Sequence, residues 1–299
     1  MSALAFIVLA ILLAGPVPAL LSRASWPMRA PRAAVVLWQS IAVAAVLSAF
    51  SAGLAITARL LVPGPALGRP LWLTSVGVLL LTVLIGARLG IAVLRVAIST
   101  RRQRRRHRTV VDLLGECPHQ IDHRMEGVRV LQVAEPLAYC LPGVRSRVVL
   151  SRGTITNLSE SELTAILRHE RAHLRARHDL VLEAFIAVHS AFPRFVRSGN
   201  ALRAVGLLIE LLADDAAVRV TGPRPLARAL VTCAAGHTPA GAMAAGGPTT
   251  VIRVRRLAGE PNSLRLSLSA YLAAAAVLVV PTVAVAVPWL TEISRLLFT

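Results

Sequence analysis

The chain contains no lysine. All 33 of its basic residues are arginine, set against only 15 aspartates and glutamates, which leaves a formal net charge of +18 at pH 7. Such an imbalance suits nucleic acid or an anionic membrane surface. Aromatics are scarce, at 4% of residues. None interleaves with the densest basic block, Arg101-Arg102-Gln103-Arg104-Arg105-Arg106-His107-Arg108, as aromatics do in single-strand binders. Direct nucleic-acid binding is therefore not expected. Cysteine is equally sparse. Cys117, Cys140 and Cys233 are an odd number with no C-x-x-C pair, which speaks against a disulfide framework and fits a reducing compartment. No internal repeat is present. The first apolar run has no basic residue before it and no A-x-A site after it, so a membrane anchor is expected there rather than a cleaved signal peptide.

What is abundant is apolar sequence. Hydrophobic residues fill 55% of the 299 positions, and the mean hydropathy is +0.65. They gather into runs from Leu4 to Leu21, Ala33 to Leu61, Leu71 to Ala97 and Leu266 to Leu290. A helix needs about 20 apolar residues to cross a hydrocarbon core, so four spans are expected, the last broken by Pro281 and Pro288. These runs hold almost none of the acidic residues that mark ion or substrate pathways, which argues against a transporter. Arg23, Arg29 and Arg32 lie between the first two runs, Arg69 alone between the next two, and the arginine block follows the third. The positive-inside rule then puts the first loop and the segment after the block in the cytoplasm, with both termini outside. The block itself reads as a topology anchor on anionic headgroups of the bilayer.

The expected organisation is three transmembrane helices in residues 1–100, a hydrophilic domain in 101–265, and a fourth transmembrane helix with a short tail in 266–299. Within the insert, Val128 to Val133 and Arg147 to Leu150 read as short strands. Ser159 and Glu162 form an S-x-x-E capping box that opens a helix to about Arg177. Further helices are expected over Leu180 to Phe192, Ala201 to Val220 and Leu226 to Ala235, and the Gly- and Ala-rich stretch Gly236 to Pro248 as a mobile loop.

The chemistry-bearing signal is His169-Glu170-Arg171-Ala172-His173, an H-E-x-x-H within the capped helix. Residues four apart share a helix face, so both imidazoles can reach one metal ion, and Glu170 stands where it can take a proton from an activated water. Zinc catalysis needs a third protein ligand and an open position. Glu210 follows the apolar run Val205 to Ile209, where an unpaired carboxylate would be costly unless a metal or cation met it. Asp214 falls four residues on, placed to accept an N–H from a ligating histidine. Both acids could instead pair with Arg203 or Arg219. Asp215 points away and reads as a surface residue. His178 reads as polar structure at a helix end and Cys140 as a small buried residue. His237, Arg253 and Arg255 could each approach an oxyanion, with nothing to choose among them. Cys117, His119 and His123 fit no strong metal-site spacing.

Four spans, an insert before the last, and the string Leu141-Pro142-Gly143, Arg168-His169-Glu170-Arg171-Ala172-His173, His178-Asp179, Glu210 and Ala213-Asp214 resemble the BlaR/MecR-type membrane metallopeptidases, gluzincins related to the HtpX-type proteases. The resemblance implies a mostly α membrane protein with a cytoplasmic α+β zincin-like metalloprotease domain inserted between the third and fourth transmembrane helices. It implies zinc held by His169, His173 and Glu210, Glu170 as general base, and Asp214 behind a ligand. It also implies that the strand at Arg147 to Leu150 is an edge to which a substrate adds. The antibiotic-sensing relatives carry a penicillin-binding domain after the fourth span, whereas this sequence ends at Thr299. Direct β-lactam sensing is therefore not expected, and a signal would arrive through the spans, a partner or the lipid. The implied function is a metalloendopeptidase of the plasma membrane acting on a cytoplasmic or membrane-proximal protein, such as a DNA-binding transcriptional repressor or the enzyme itself. The alternatives are a quality-control protease for membrane proteins and a non-catalytic signalling scaffold.

Overall fold

The computed structural model describes residues 2–57, 68–117, 125–144, 146–192, 199–234, 243–244, 249–259 and 262–298. Its contacts divide the chain into two compact units: 1–93 with 187–204 and 263–299, and 94–186 with 205–262.

The first unit is built of long apolar helices. Helix α1 (Ser2–Ala14) is separated by Gly15 from the short α2 (Pro16–Leu21), with Pro16 at a first-turn position that needs no N–H. Helix α3 (Pro31–Thr57) packs against α1 and against α11 (Leu264–Phe298), and the first part of α4 (Arg69–Leu114) also belongs here. Among the described residues four helices are, by length and composition, long and apolar enough to cross a membrane: Ala3–Leu21, Pro31–Thr57, Arg69–Leu114 and Leu264–Val283. Their buried positions are mostly small, among them Ala33, Ala34, Ala44, Ser48, Ala270 and Ala274, while Leu80, Val83 and Leu84 point outward. Gly53 of α3 lies where a Cβ would come within 2.1 Å of Thr82 Oγ1 on α4.

One expectation is corrected in these helices. Pro281 and Pro288 do not break the last run, because α11 is continuous through both. Proline removes one N–H and one turn's hydrogen bond without forbidding the helix. The apolar run to Ala97 is only the first part of its helix. Helix α4 continues through the whole arginine block to Leu114, since no glycine or proline follows Gly90 before that point and arginine is a strong helix former.

The second unit is α+β. Strands β1 (Val128–Leu131), β2 (Ala138–Leu141), β3 (Arg147–Ser151) and β4 (Met243–Ala244) form one sheet in the order β1-β3-β2-β4. β1 runs parallel to β3, with Val130 beside Leu150, whereas β2 is antiparallel to both β3 and β4. Strand β3 is therefore interior, not the edge that the family likeness implied. Val148, Val149 and Leu150 are buried on both faces, as an inner strand requires. Ser151 closes β3 and caps α5 (Arg152–Asn157) by accepting from the Thr154 N–H. Gly153 is forced by close approach, because a Cβ there would sit 1.9 Å from the Ala134 carbonyl oxygen.

Helix α6 (Glu160–Ala176) begins with the full Ser159–Glu162 capping box and ends at Arg177, which is left-handed at φ 52°. α7 (His178–Ala191), α8 (Gly199–Thr221), α9 (Pro223–Cys233) and α10 (Thr250–Leu257) follow. The core under the sheet joins Val128, Val130, Val148 and Leu150 to Ala165, Ile166, Leu226, Ala229 and Leu230. β2, β4, α5 and α10 are elements the sequence did not disclose. Ala-Tyr-Cys-Leu is buried on both faces and so shows no alternation, and β4 and α5 are too short to carry a period.

Candidate metal centre

Helix α6 carries an inner face of Ala165, Ile166, His169, Glu170 and His173, all buried, and an outer face of arginines. The capping box sets where that helix starts, and the 3.6-residue period then turns both imidazoles inward. His169 Nε2 and His173 Nε2 stand 3.2 Å apart. Glu210 reaches them from α8, with Oε2 3.4 Å from His169 Nε2 and Oε1 3.7 Å from His173 Nε2. Two donors held at ~2.0–2.1 Å from one tetrahedral ion stand roughly 3.3 Å apart, so the three side chains have the spacing of a single coordination sphere. All three ligand atoms lie within 4.8 Å of one another. The donor set, two neutral-capable imidazoles and a carboxylate, suits zinc. Three donors leave the sphere open.

The opposite ring nitrogens are also met. Asp214 Oδ1, one turn beyond Glu210, stands 3.0 Å from His169 Nδ1. His178 Nδ1, at the start of α7, is 3.0 Å from His173 Nδ1. Its neighbour Asp179 accepts from Arg104 of α4 at 3.0 Å, and Arg104 also reaches Glu183 at 2.7 Å. His178, expected to be helix-end structure, thus stands directly behind the second histidine of the motif.

Glu170 is fully buried, and neither carboxylate oxygen accepts a hydrogen bond among the described residues. Glu210 Oε2 likewise accepts none. Unbonded buried carboxylate oxygens carry a large desolvation cost, which a cation and a water at this point would relieve. Burial, then the negative charge of Glu210, pushes the Glu170 carboxyl up to about 7. Burial pushes His173 down to about 3 and His178 down to about 4. His169 goes the other way. Burial would lower it, but the adjoining carboxylates of Asp214 and Glu210 outweigh that and hold it up at about 9. Asp214 is held low against its burial by Arg253 and His169. The Cys140 thiol, buried in β2, is raised by burial first and by the Glu170 carboxylate second.

Arg253 was one of three oxyanion candidates with nothing to separate them. The structure places it at the acids, 1% exposed and forked onto Asp214. The signal that could have found it is spacing. In Thr250-Val-Ile-Arg-Val-Arg-Arg-Leu257, Val254 and Leu257 pack on the core and Thr250 is buried, so Arg253 shares their stripe and Arg255 does not. Asp215, expected at the surface, pairs with Arg256 at 2.8 Å and accepts from Asn262 at 2.8 Å. Arg203, offered as a partner for the acids, bonds Asn200 instead. His119, His123 and His237 lie outside the described residues, as does the Gly- and Ala-rich stretch apart from β4.

Residues 100–260, slightly more than half of the chain, match the model of peptidase family M48. Comparison with curated proteins and with solved structures finds no match.

Proposed function

The chain belongs to peptidase family M48, and on that premise we propose that it is a zinc metalloendopeptidase embedded in a membrane, with its catalytic unit on the cytoplasmic side. The observation that carries this reading is the convergence of His169, His173 and Glu210 on one point beside the buried, unbonded carboxylate of Glu170.

In this reading His169 and His173 offer Nε2, and Glu210 one oxygen, to the ion. When bound, zinc supplies Lewis-acid polarisation of the scissile carbonyl and of the attacking water. Asp214 and His178 hold the Nδ1 sides of the two imidazoles, so that each ring keeps one tautomer and one orientation. Glu170 receives the proton of the attacking water on its carboxylate and delivers it to the leaving amine nitrogen. The peptide substrate adds as an extended strand at the β4 edge of the sheet, beside Met243–Ala244, which itself pairs in antiparallel register with Cys140 and Tyr139.

The membrane placement rests on four sufficiently long apolar helices, and the sidedness on the arginines of the first loop and of α4. By the family likeness stated above, the substrate is a cytoplasmic or membrane-proximal protein, and a DNA-binding repressor is the partner to try first.

The test is metal content and peptidase activity of the detergent-purified chain. Wild type should carry about one zinc per chain, and His173→Ala and Glu210→Ala should lose it. Glu170→Gln should keep the metal and lose about 10²–10⁴-fold in rate. Activity unchanged in Glu170→Gln would remove Glu170 from the chemistry. A folded wild type without zinc would leave a membrane scaffold.

A further inference from the structure

Among the described residues Arg253 is the one arginine in the buried class, and it meets both acids of α8. The two contacts differ. Its Nε donates to Asp214 Oδ2 at 2.8 Å and a terminal nitrogen donates to Oδ1 at 2.5 Å, a two-pronged fork. The other terminal nitrogen comes within 3.0 Å of Glu210 Oε2, yet that oxygen accepts no aligned hydrogen bond. The same terminal nitrogen that bonds Oδ1 also comes within 3.4 Å of both ring nitrogens of His169, so the guanidinium is anchored on Asp214, lies against the imidazole that Asp214 meets, and only leans toward Glu210.

Charge points the same way. Glu170, Glu210 and Asp214 bring three carboxylates into one buried volume around His169 and His173. A dication leaves one negative charge uncompensated, and burying an unpaired charge is expensive. The guanidinium supplies the missing positive charge.

We propose that Arg253 is a positioning residue of the metal centre, acting through Asp214. By forking onto both oxygens it fixes that carboxylate against His169 Nδ1, and its charge completes the neutrality of three acids around a dication. This rests on the zinc reading of His169, His173 and Glu210, but it concerns a residue outside the H-E-x-x-H helix and outside the α8 acids.

The experiment measures zinc affinity of the full chain in detergent by competition with a chromophoric chelator, without reference to turnover. Arg253→Met should weaken zinc by about 10–100-fold, the usual range for losing a group that orients a ligand. Arg253→Lys, which keeps the charge without the fork, should recover part of that loss. Should Arg253→Met fail to fold with Asp214 left unpaired, the double variant Asp214→Asn/Arg253→Met removes both partners. It should bind zinc no more weakly than Asp214→Asn alone. Wild-type affinity in Arg253→Met, a lysine variant no better than the methionine one, or a further loss in the double variant would each overturn the proposal. Loss of zinc by wild type itself would instead overturn the metal reading on which it stands.

Discussion

The two units of this chain are packed on opposite plans. In the unit that carries the metal centre, large apolar side chains such as Ile166, Ile209, Leu226 and Leu230 are buried completely, and the buried charges are gathered at one place. In the helical unit small residues such as Ala33, Ala34, Ala44, Ser48 and Gly53 fill most buried positions beside a few large ones, Trp38, Leu37 and Ile41, while many large apolar side chains face outward, with Leu80 64% exposed and Val83 60%. Water rewards the first plan through apolar burial. A hydrocarbon surround rewards the second, because lipid is as apolar as leucine and helices then gain most by close approach of small residues. The same amino acid therefore has opposite worth in the two halves, and substitutions can show it.

The largest stability effect is expected at Leu230 in α9. Truncation to alanine removes a fully buried side chain from the core under the sheet, which costs about 2–5 kcal/mol. A calorimetric or fluorescence melt of the detergent-solubilised chain should show the loss. A change under about 1 kcal/mol would mean that this core does not carry the unit.

Next comes the charge buried beside the histidines. Glu170 is raised from 4.5 to about 7 in the metal-free fold, chiefly by burial. A carboxyl raised in the folded state stabilises most while protonated. Its contribution is complete below about pH 4.5 and is lost as pH rises through 7. Metal-free wild type should therefore lose up to about 3 kcal/mol between pH 4.5 and 8 that Glu170→Gln does not lose. Parallel pH–stability curves for the two chelator-treated proteins would remove burial as the cause.

How much of this was legible beforehand divides along the same line. Helix α6 could be read because everything that defines it is local. Ser159 and Glu162 mark its start, and the histidine spacing and the apolar period set its inner face within one stretch of chain. The four apolar runs were legible for the same reason, since a membrane-length helix is a property of composition. What could not be read depends on partners distant in sequence. The order β1-β3-β2-β4 places the second and third strands inside and the short fourth strand at an edge, which no strand reveals by itself. Arg253 lies 39 residues from Asp214 in an eight-residue helix among other arginines, and although spacing puts it on the inner stripe of α10, nothing local shows that Asp214 is what it meets. His178 stood five residues from His173, a poor helical spacing. The left-handed turn at Arg177 starts a new helix and brings the imidazole back.

A smaller effect tests the helical unit directly. Gly53 should tolerate no side chain, because a Cβ would overlap Thr82 Oγ1, and that hydroxyl is engaged with the Val78 carbonyl at 2.8 Å. Gly53→Val should cost about 1–3 kcal/mol by forcing the helices apart, measured as a lower melting temperature in detergent. No change would place α3 and α4 farther apart than the structure has them.

The smallest effect is the most telling. Leu80→Ala deletes the same atoms as Leu230→Ala, yet it should change stability by less than about 0.5 kcal/mol. Leu80 lies on the outward face of α4, so the lost methyl groups were in contact with detergent or lipid in place of protein. Helix propensity does not add a penalty, since alanine forms helix at least as well as leucine. A loss comparable to that at Leu230 would mean that protein covers this face, either another part of the chain or a second copy. The outward leucines would then mark an interface, and the contrast between the two units would be one of assembly rather than of solvent.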